Sequence, residues 1–377
     1  MRILQVVTLV TPAGSFGGPV RVAVNQSRAL IERGHDVTVV AGTSGYRHPP
    51  TEQDGVPVRL FPARQAVPKT GFAGLTSPAM IRWFVSHRKN FDVVHVHLAR
   101  DLVTMPMARL ASVLGLGLVV QTHGMIDATD KLLARPLDAF FTRPILRRAT
   151  AGLYLTEREH GDLVSVAGQQ DSRLHWLTNG VPETAVDAAQ RTTPPEVLFL
   201  ARLQSRKRPL MFVAMARELL EQGMRARFTL VGPDEGEGAA VRGAIEASGH
   251  ADSISWEGAA SPDETLARMR RASVYVLPSV DEPYPMSVLE AMSVGLPVVV
   301  TDSCGLAPAI SRSGSGIVVD HSHSALVDAV RRLTTDGEAR ADFGARAHDT
   351  IGKEFGMSAV ATKLEQVYRD ACTLRDD

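Results

Sequence analysis

Short apolar runs alternate with longer amphipathic stretches along almost the whole chain. In the first half Ile3–Val7, Val37–Ala41, Val56–Phe61, Val93–His97, Leu118–Gln121, Gly152–Leu155 and Leu174–Leu177 read as strands. Helical spacing of apolar residues fills the gaps at about 20–33, 78–88, 101–114 and 131–148. The pattern stops at 183–195, a stretch rich in Ala, Thr and Pro, and then restarts. Val197–Ala201, Arg227–Val231, Ser253–Trp256, Val274–Leu277, Val298–Val300 and Gly316–Val319 follow as strands, again separated by helical stretches. Runs that are apolar at successive positions suit strands covered on both faces, and their regular succession with helices predicts parallel α/β sheets. A last helix, about Met357 to Cys372, carries Val360, Leu364 and Val367 on one face.

Length turns this pattern into a domain expectation. A chain of 377 residues exceeds one comfortable core, so two domains are expected. The boundaries read as 1–182, a linker at 183–195, 196–355, and a closing segment at 356–377. Lys plus Arg and Asp plus Glu both number 41, so no global field favours nucleic acid. Cys304 and Cys372 have no paired spacing, which supports neither a disulfide framework nor a zinc site and fits a reducing compartment. Met1 and Arg2 lead straight into the first strand, leaving no room for a signal peptide. No apolar run approaches the roughly 20 residues needed to span a bilayer. A cytoplasmic location is expected, at most peripheral at the inner face of a membrane.

The densest chemistry lies in Ser279–Val300, read as a proline-broken loop, a helix from about Met286, and a strand. Gly295 and Pro297 stop that helix in the usual order. Backbone N–H groups at Met286, Ser287 and Val288, just after Pro285, form an anion site at the helix start. Glu282 and Glu290 frame it, and carboxylates are good acceptors for sugar hydroxyls. A diphosphate on the amides with a sugar on either side describes a nucleotide-sugar. Arg202 and Lys207, five apart at a strand-to-helix turn, are cations able to clamp a diphosphate, or else a solvated basic turn. Gly17 and Gly18 precede a helix without G-x-G-x-x-G or P-loop spacing, so the dinucleotide and ATP fingerprints are both missing. His123 ends a parallel strand, where α/β sheets place ligand sites. His95 and His97 share a strand face but lack a third metal ligand nearby. The helix 131–148 carries Lys131, Arg135, Arg143, Arg147 and Arg148, and reads either as a solvated face or as one resting on anionic lipid.

Several of these stretches resemble one family. E-P-Y-P-M-S-V-L-E-A-M-S-V-G-L-P-V-V is similar to the E-x7-E signature of the retaining glycosyltransferases of family 4, the glycosyl transferases group 1, which have the GT-B fold. A-R-L-Q-S-R-K resembles the family's G-R-L-x-x-x-K element, with Ala201 for the usual glycine. G-G-P-V-R-V-A-V-N, T-H-G-M, N-G-V and V-G-P resemble further elements in the right order. At Gly305–Ala309 the chain departs from the family, lacking an acid that relatives often carry.

The resemblance implies two Rossmann-like parallel-sheet domains facing across a cleft, the first on the acceptor side. It implies transfer of a hexose from a nucleoside diphosphate-sugar to an acceptor hydroxyl with retained configuration, in polysaccharide, glycolipid or glycoconjugate biosynthesis. His123, Glu282, Arg202 and Lys207 would be catalytic. Gly17, Gly18, Gly232, Gly258, Pro285, Met286, Ser287, Val288 and Glu290 would bind the donor, Gly258 lying where relatives seat the base through backbone contacts. No metal or other cofactor is implied, the cations and amides taking that part. The acceptor would be a carbohydrate, a lipid-linked intermediate or a small molecule; Asp127 and Asp130, in the stretch after His123, are further candidates to contact it. The alternatives are a nucleotide-sugar 2-epimerase on the same fold and a non-catalytic nucleotide-sugar-binding protein.

Overall fold

The computed structural model describes residues 1–12, 17–68, 70–127, 134–168, 173–184, 186 and 191–373. The chain divides into two compact units, Met1–Gly180 with Met357–Asp377, and Val181–Gly356. Asp130 and Lys131 lie outside the described residues.

The strands of the first unit are β1 (Arg2–Val10), β2 (Asp36–Thr43), β3 (Glu52–Gln53), β4 (Val56–Pro62), β5 (Val93–His97), β6 (Gly117–Gln121), β7 (Ala151–Tyr154) and β8 (Leu174–Trp176). They form one sheet in the order β8-β7-β6-β5-β1-β2-β4-β3. Only the short β3 runs antiparallel to its neighbour. Every residue of β5 and β6 is buried, which is why these strands read as unbroken apolar runs rather than as an alternation. Strand order reverses between β1 and β5.

The closing helix, Met357–Thr373, belongs to this first unit. Val360, Leu364, Val367, Tyr368 and Ala371 are buried on one stripe at i, i+4, i+7, i+8 and i+11. Close packing shows in the glycines that face it. A Cβ added at Gly180 would come within 2.5 Å of the Met357 sulfur, and one at Gly117 within 2.9 Å of the Ala371 carbonyl oxygen.

The second unit contains β9 (Glu196–Leu200), β10 (Arg227–Val231), β11 (Ile254–Trp256), β12 (Val274–Leu277), β13 (Val298–Thr301) and β14 (Gly316–Val319). All are parallel, in the order β11-β10-β9-β12-β13-β14. The order reverses between β9 and β12. In open parallel sheets, ligands bind beyond the carboxyl ends of the strands at such a reversal. The loops after β9 and β12 carry Lys207 and Glu282 to that place.

Three expectations need correction. Gly17 and Gly18 are not loop residues but the first two of the helix Gly17–Glu32. The helix foreseen at 101–114 begins only at Thr104, because the buried Asp101 carboxylate accepts from the N–H groups of Val103 at 2.7 Å and Thr104 at 2.6 Å and so caps it from outside. Between β4 and β5 the chain adds a small antiparallel pair, Arg64–Gln65 with Leu75–Thr76. The helix foreseen at 131–148 is not continuous. Its described part runs as Ala134–Leu137, a π-helical turn Asp138–Thr142, and Arg143–Arg148.

Gly316 offers a direct check on the second sheet. A Cβ there would lie 2.3 Å from the Val298 carbonyl oxygen on β13. Gly316→Ala is expected to lower unfolding free energy by about 1–3 kcal/mol, measured as a lower urea midpoint for the second unit. An unchanged midpoint would show that β14 packs otherwise.

Candidate active site

The turn after β9 is unusual in its backbone. Ser205–Lys207 forms a single 3-10 turn, and Arg208 then adopts φ +54 before the helix Pro209–Glu221. Opposite it, Asp281 has φ +50 in the loop after β12. Non-glycine residues in this left-handed region cost free energy and persist where surrounding contacts hold them. Here the contacts are plain. The Val280 N–H donates to the Arg206 carbonyl at 2.9 Å, and Arg206 Nη1 donates to the Asp281 carbonyl at 2.9 Å. Gly305 N–H closes the far side by donating to the Glu282 carbonyl at 2.8 Å.

Lys207 and Glu282 are both buried, and their side chains form a direct ion pair. Arg206 adds a second, longer approach to the same carboxylate at 3.6 Å. A pair removed from water holds only while both partners stay, since either alone is an uncompensated buried charge. The pair therefore fixes the two switch-point loops against each other. By sequence alone Lys207 and Glu282 have separate tasks, and only the fold shows that they bind one another.

The helix Met286–Ser293 begins just beyond. Among the described residues no backbone acceptor is recorded for the N–H groups of Met286 and Ser287, as expected for a first turn. Val288 must be corrected. Its N–H donates to the Pro285 carbonyl at 3.1 Å and is already engaged. Glu290 stands one turn in, half-buried. Beneath the helix start, the Tyr275 hydroxyl lies 3.0 Å from the Leu200 carbonyl and 2.7 Å from the Ser287 hydroxyl. This ties the end of β9 to the first turn. Burial raises the Tyr275 phenol far above its usual range and the neighbouring Cys304 thiol to about 12, so both stay protonated.

Arg202 does not share a partner with Lys207. Its side chain is 54% exposed and pairs with Glu235 at 3.1 Å, and Gln204 binds the same carboxylate. Gly232 and Gly258 are brought together, the N–H of the first donating to the carbonyl of the second at 2.7 Å. Gly232 has no substitute, because an added Cβ would lie 1.9 Å from the Ala201 carbonyl oxygen. Gly258 helps line a cavity of about 310 Å³ with Val231, Glu257, Glu264 and Arg268 among others. Arg268 is held there by Glu196 and Glu257, which raise its pKa further. The lining includes neither Lys207 nor Glu282. Nothing in the sequence signalled the Glu196–Arg268–Glu257 cluster.

In the first unit, His123 follows β6 with φ +52. One buried carboxylate holds that turn. Glu159 Oε1 accepts from the Thr122 hydroxyl at 2.5 Å and from the Gly124 N–H at 2.6 Å, one residue on each side of His123. Its Oε2 accepts from the Leu155 N–H at 2.7 Å. Glu159 stands three residues after the helix cap Thr156, and by sequence alone it reads as half of a local capping box. Its side chain instead serves the T-H-G turn.

The rings of His95, His97 and His123 stack in a row, with centroids 4.7 Å and 5.0 Å apart. Gln5 sets their polarity. Its amide nitrogen donates to the Tyr368 hydroxyl at 3.3 Å, leaving its oxygen to accept from His97 Nε2 at 2.8 Å. His97 Nδ1 is then an acceptor, and His123 Nε2 donates to it at 2.7 Å. His95 Nδ1 lies 2.7 Å from the Tyr368 hydroxyl. These bonds engage both ring nitrogens of His97, so it is not a metal ligand. Burial lowers the pKa of His95 and of His123 to about 3, and that of His97 well below its usual value. The row is neutral at physiological pH. Asp127, a candidate acceptor contact, is exposed and paired with Arg100 at 2.8 Å.

Comparison with known proteins agrees with this architecture. The family described as "Glycosyl transferases group 1" matches residues 182–350, and "Glycosyl transferase 4-like domain" matches 17–180. The chain is 25% identical to a D-inositol 3-phosphate glycosyltransferase of Corynebacterium diphtheriae, over 99% of this chain and 96% of that protein. It is 27% identical to a glycogen synthase of Mycobacterium tuberculosis, over 98% and 94%. Among solved structures, a sucrose-phosphate synthase from Thermosynechococcus elongatus superposes with TM-score 0.75 at 17% identity, covering 99% of this chain and 100% of that one. Anabaena HepE, in complex with UDP and glucose, superposes with TM-score 0.72 at 15% identity, covering 98% and 99%.

Two outcomes follow for the first unit. Glu159→Gln turns an amide N–H toward groups that donate, and is expected to lower unfolding free energy by about 1–3 kcal/mol, read from urea unfolding. The histidine row makes stability pH-dependent. Its folded pKa values lie below the usual 6.5, so the unfolded chain binds more protons between them. Stability is complete above about pH 6.5 and declines as pH falls toward 3, each histidine adding a slope of at most about 1.4 kcal/mol per unit. Unfolding curves at pH 5 and pH 7 should show a smaller difference for His97→Gln than for the wild type.

Proposed function

Because this chain belongs to the group 1 glycosyl transferases and is a glycosyltransferase, we propose the following reaction: it moves a hexose from a nucleoside diphosphate-sugar to an acceptor hydroxyl with retained anomeric configuration. The observation that carries the reading is the convergence of Lys207, Glu282 and the start of the helix Met286–Ser293 at the strand reversal of the second sheet. A cation, a carboxylate and unpaired amides suit a sugar joined to diphosphate.

In this reading the diphosphate rests on the amides of Met286 and Ser287 and draws Lys207 toward it. Arg202 turns from Glu235 to add a second cation. These groups stabilise the charge that develops as the bond from the anomeric carbon to the phosphate oxygen breaks. Glu282, relieved of Lys207, accepts from the sugar hydroxyls, and Glu290 accepts from the ribose. The acceptor oxygen bonds to the anomeric carbon on the face the phosphate leaves, and its proton passes to the departing phosphate oxygen. That route needs no separate protein base. Gly232 and Gly258 bring backbone close to the base beside the 310 Å³ cavity. For His123 the proposal keeps the role implied by the resemblance, contact with the transferred sugar through a neutral ring. Metal independence is part of the same proposal, since Lys207, Arg202 and the amides supply the positive charge.

The relatives are named as transferases and synthases, which favours transfer over the 2-epimerase alternative. Neighbours in complex with UDP make UDP-sugars the first donors to test. Among the described residues no helix is long and apolar enough to cross a membrane. Peripheral contact through 131–148, described from Ala134 on, is proposed on the exposure of Phe140, at 73%, and of Arg147 and Arg148 farther along the same stretch.

A donor panel with candidate acceptors, run in chelator, tests the proposal. Transfer should persist in chelator, and product NMR should show the donor's anomeric configuration. Lys207→Ala should lower kcat by about 10²–10³. An inverted product, or full activity without Lys207, would refute the mechanism.

A further inference from the structure

Four arginines line one cavity of the first unit, and the transfer mechanism uses none of them. Arg109 comes from the helix Thr104–Val113, and Arg143, Arg147 and Arg148 come from the helix Arg143–Arg148. Ala139 and Pro144 complete the lining of about 460 Å³.

Two of the arginines are held in place without being neutralised. Arg143 Nε donates to the Val166 carbonyl at 3.0 Å, and Arg147 Nε donates to the Ala167 carbonyl at 2.9 Å. Both carbonyls belong to the last turn of the helix Glu157–Ala167. These bonds fix two guanidinium groups one turn apart while leaving their outer nitrogens without a recorded partner among the described residues. Arg109 Nη1 is buried and has no hydrogen-bond partner. Asp138, the acid nearest in sequence to Arg143, is committed elsewhere, binding Arg100 at 2.9 Å alongside Asp127 at 2.8 Å. Among the described residues no carboxylate pairs with any of the four.

Like charges at i,i+4 repel, and a buried N–H without an acceptor is unfavourable. One ligand chemistry relieves both conditions, a compact anion with several acceptor oxygens. Guanidinium groups match phosphate in two-point geometry and are always charged. We infer that this cavity binds a phosphate group, at a site separate from the diphosphate site of the second unit. Its volume leaves room for an organic moiety beyond the phosphate, so the natural ligand is a phosphoester rather than the free ion. Arg109 and Arg147 grip the phosphate from two helices, with Arg143 and Arg148 adding charge.

The test is thermal unfolding of the full chain in inorganic phosphate against chloride at matched ionic strength. Three variants accompany the wild type: Arg147→Gln, Arg109→Gln with Arg147→Gln, and Arg202→Gln with Lys207→Gln. A saturable rise in Tm is expected for the wild type and for the Arg202/Lys207 variant. It should shrink in Arg147→Gln, with at least tenfold weaker apparent affinity, and vanish in the Arg109/Arg147 variant. Arg147 is exposed, so its single variant keeps the test valid if the double one misfolds. No saturable rise would overturn the inference, as would a rise lost only in the Arg202/Lys207 variant. Vesicles of phosphatidylglycerol in phosphatidylcholine separate the sources. Retention that phosphate displaces and Arg147→Gln weakens assigns the group to a lipid headgroup, and no retention assigns it to a soluble ester. Retention on vesicles without any effect of soluble phosphate overturns the site in favour of diffuse surface charge.

Discussion

The buried ion pair between Lys207 and Glu282 is the constraint on which the site in the second unit depends. It joins the loops that leave β9 and β12, the two neighbouring strands between which the strand order reverses. A buried pair of this kind adds little net stability, because desolvation offsets attraction, but it is costly to break from one side. That asymmetry suits a binding site. The free protein keeps its lysine neutralised and its loops in register, and in the proposed mechanism the donor's diphosphate takes the lysine over. The left-handed backbone at Arg208 and Asp281 flanks the pair on both loops. Strain of this sort persists where surrounding structure over-determines it.

The first unit organises its candidate residue by another route. His123 receives no charge from its neighbours. It is positioned by hydrogen bonds, with Glu159 holding the residues on either side of it and His97 accepting from its ring. Through Gln5 the same network reaches Tyr368 on the closing helix. That helix begins about 180 residues beyond the last strand of its own sheet in sequence, yet it packs on the strand that carries His95 and His97. Neutral rings in a row place direction into the network without placing charge there. The two units thus contrast, one built on a buried charge pair and the other on uncharged donors and acceptors.

Much of this was legible in the residues. Strands such as Val93–His97 and Val274–Leu277 stand at the positions their apolar runs indicated, because a strand buried on both faces has little freedom in composition. The E-x7-E stretch and the Arg202–Lys207 spacing marked two loops that the fold brings together at the strand reversal, through Lys207 and Glu282. Partners were less legible. Glu159 sits in a pattern that a helix cap explains, and only the folded chain shows its carboxylate turned to a turn 35 residues earlier. Gln5 lies in the middle of an apolar strand with no motif around it. Val288 looked like a third free amide until the tight turn from Pro285 took its N–H. The 131–148 stretch has helical periodicity throughout, but periodicity does not register the π-helical turn that splits it. Long-range pairing and local register are decided by packing, which one sequence does not display.

The account turns on Glu282 and a donor diphosphate competing for one lysine, and nucleoside diphosphate affinity in Glu282→Gln measures that directly. Calorimetry with the tightest binder of a nucleotide panel should find the variant binding at least as tightly as the wild type, because Lys207 is released, while sugar transfer collapses. Loss of diphosphate affinity matching that of Lys207→Ala would contradict the account, showing that the pair acts only as a brace and that the lysine never leaves it.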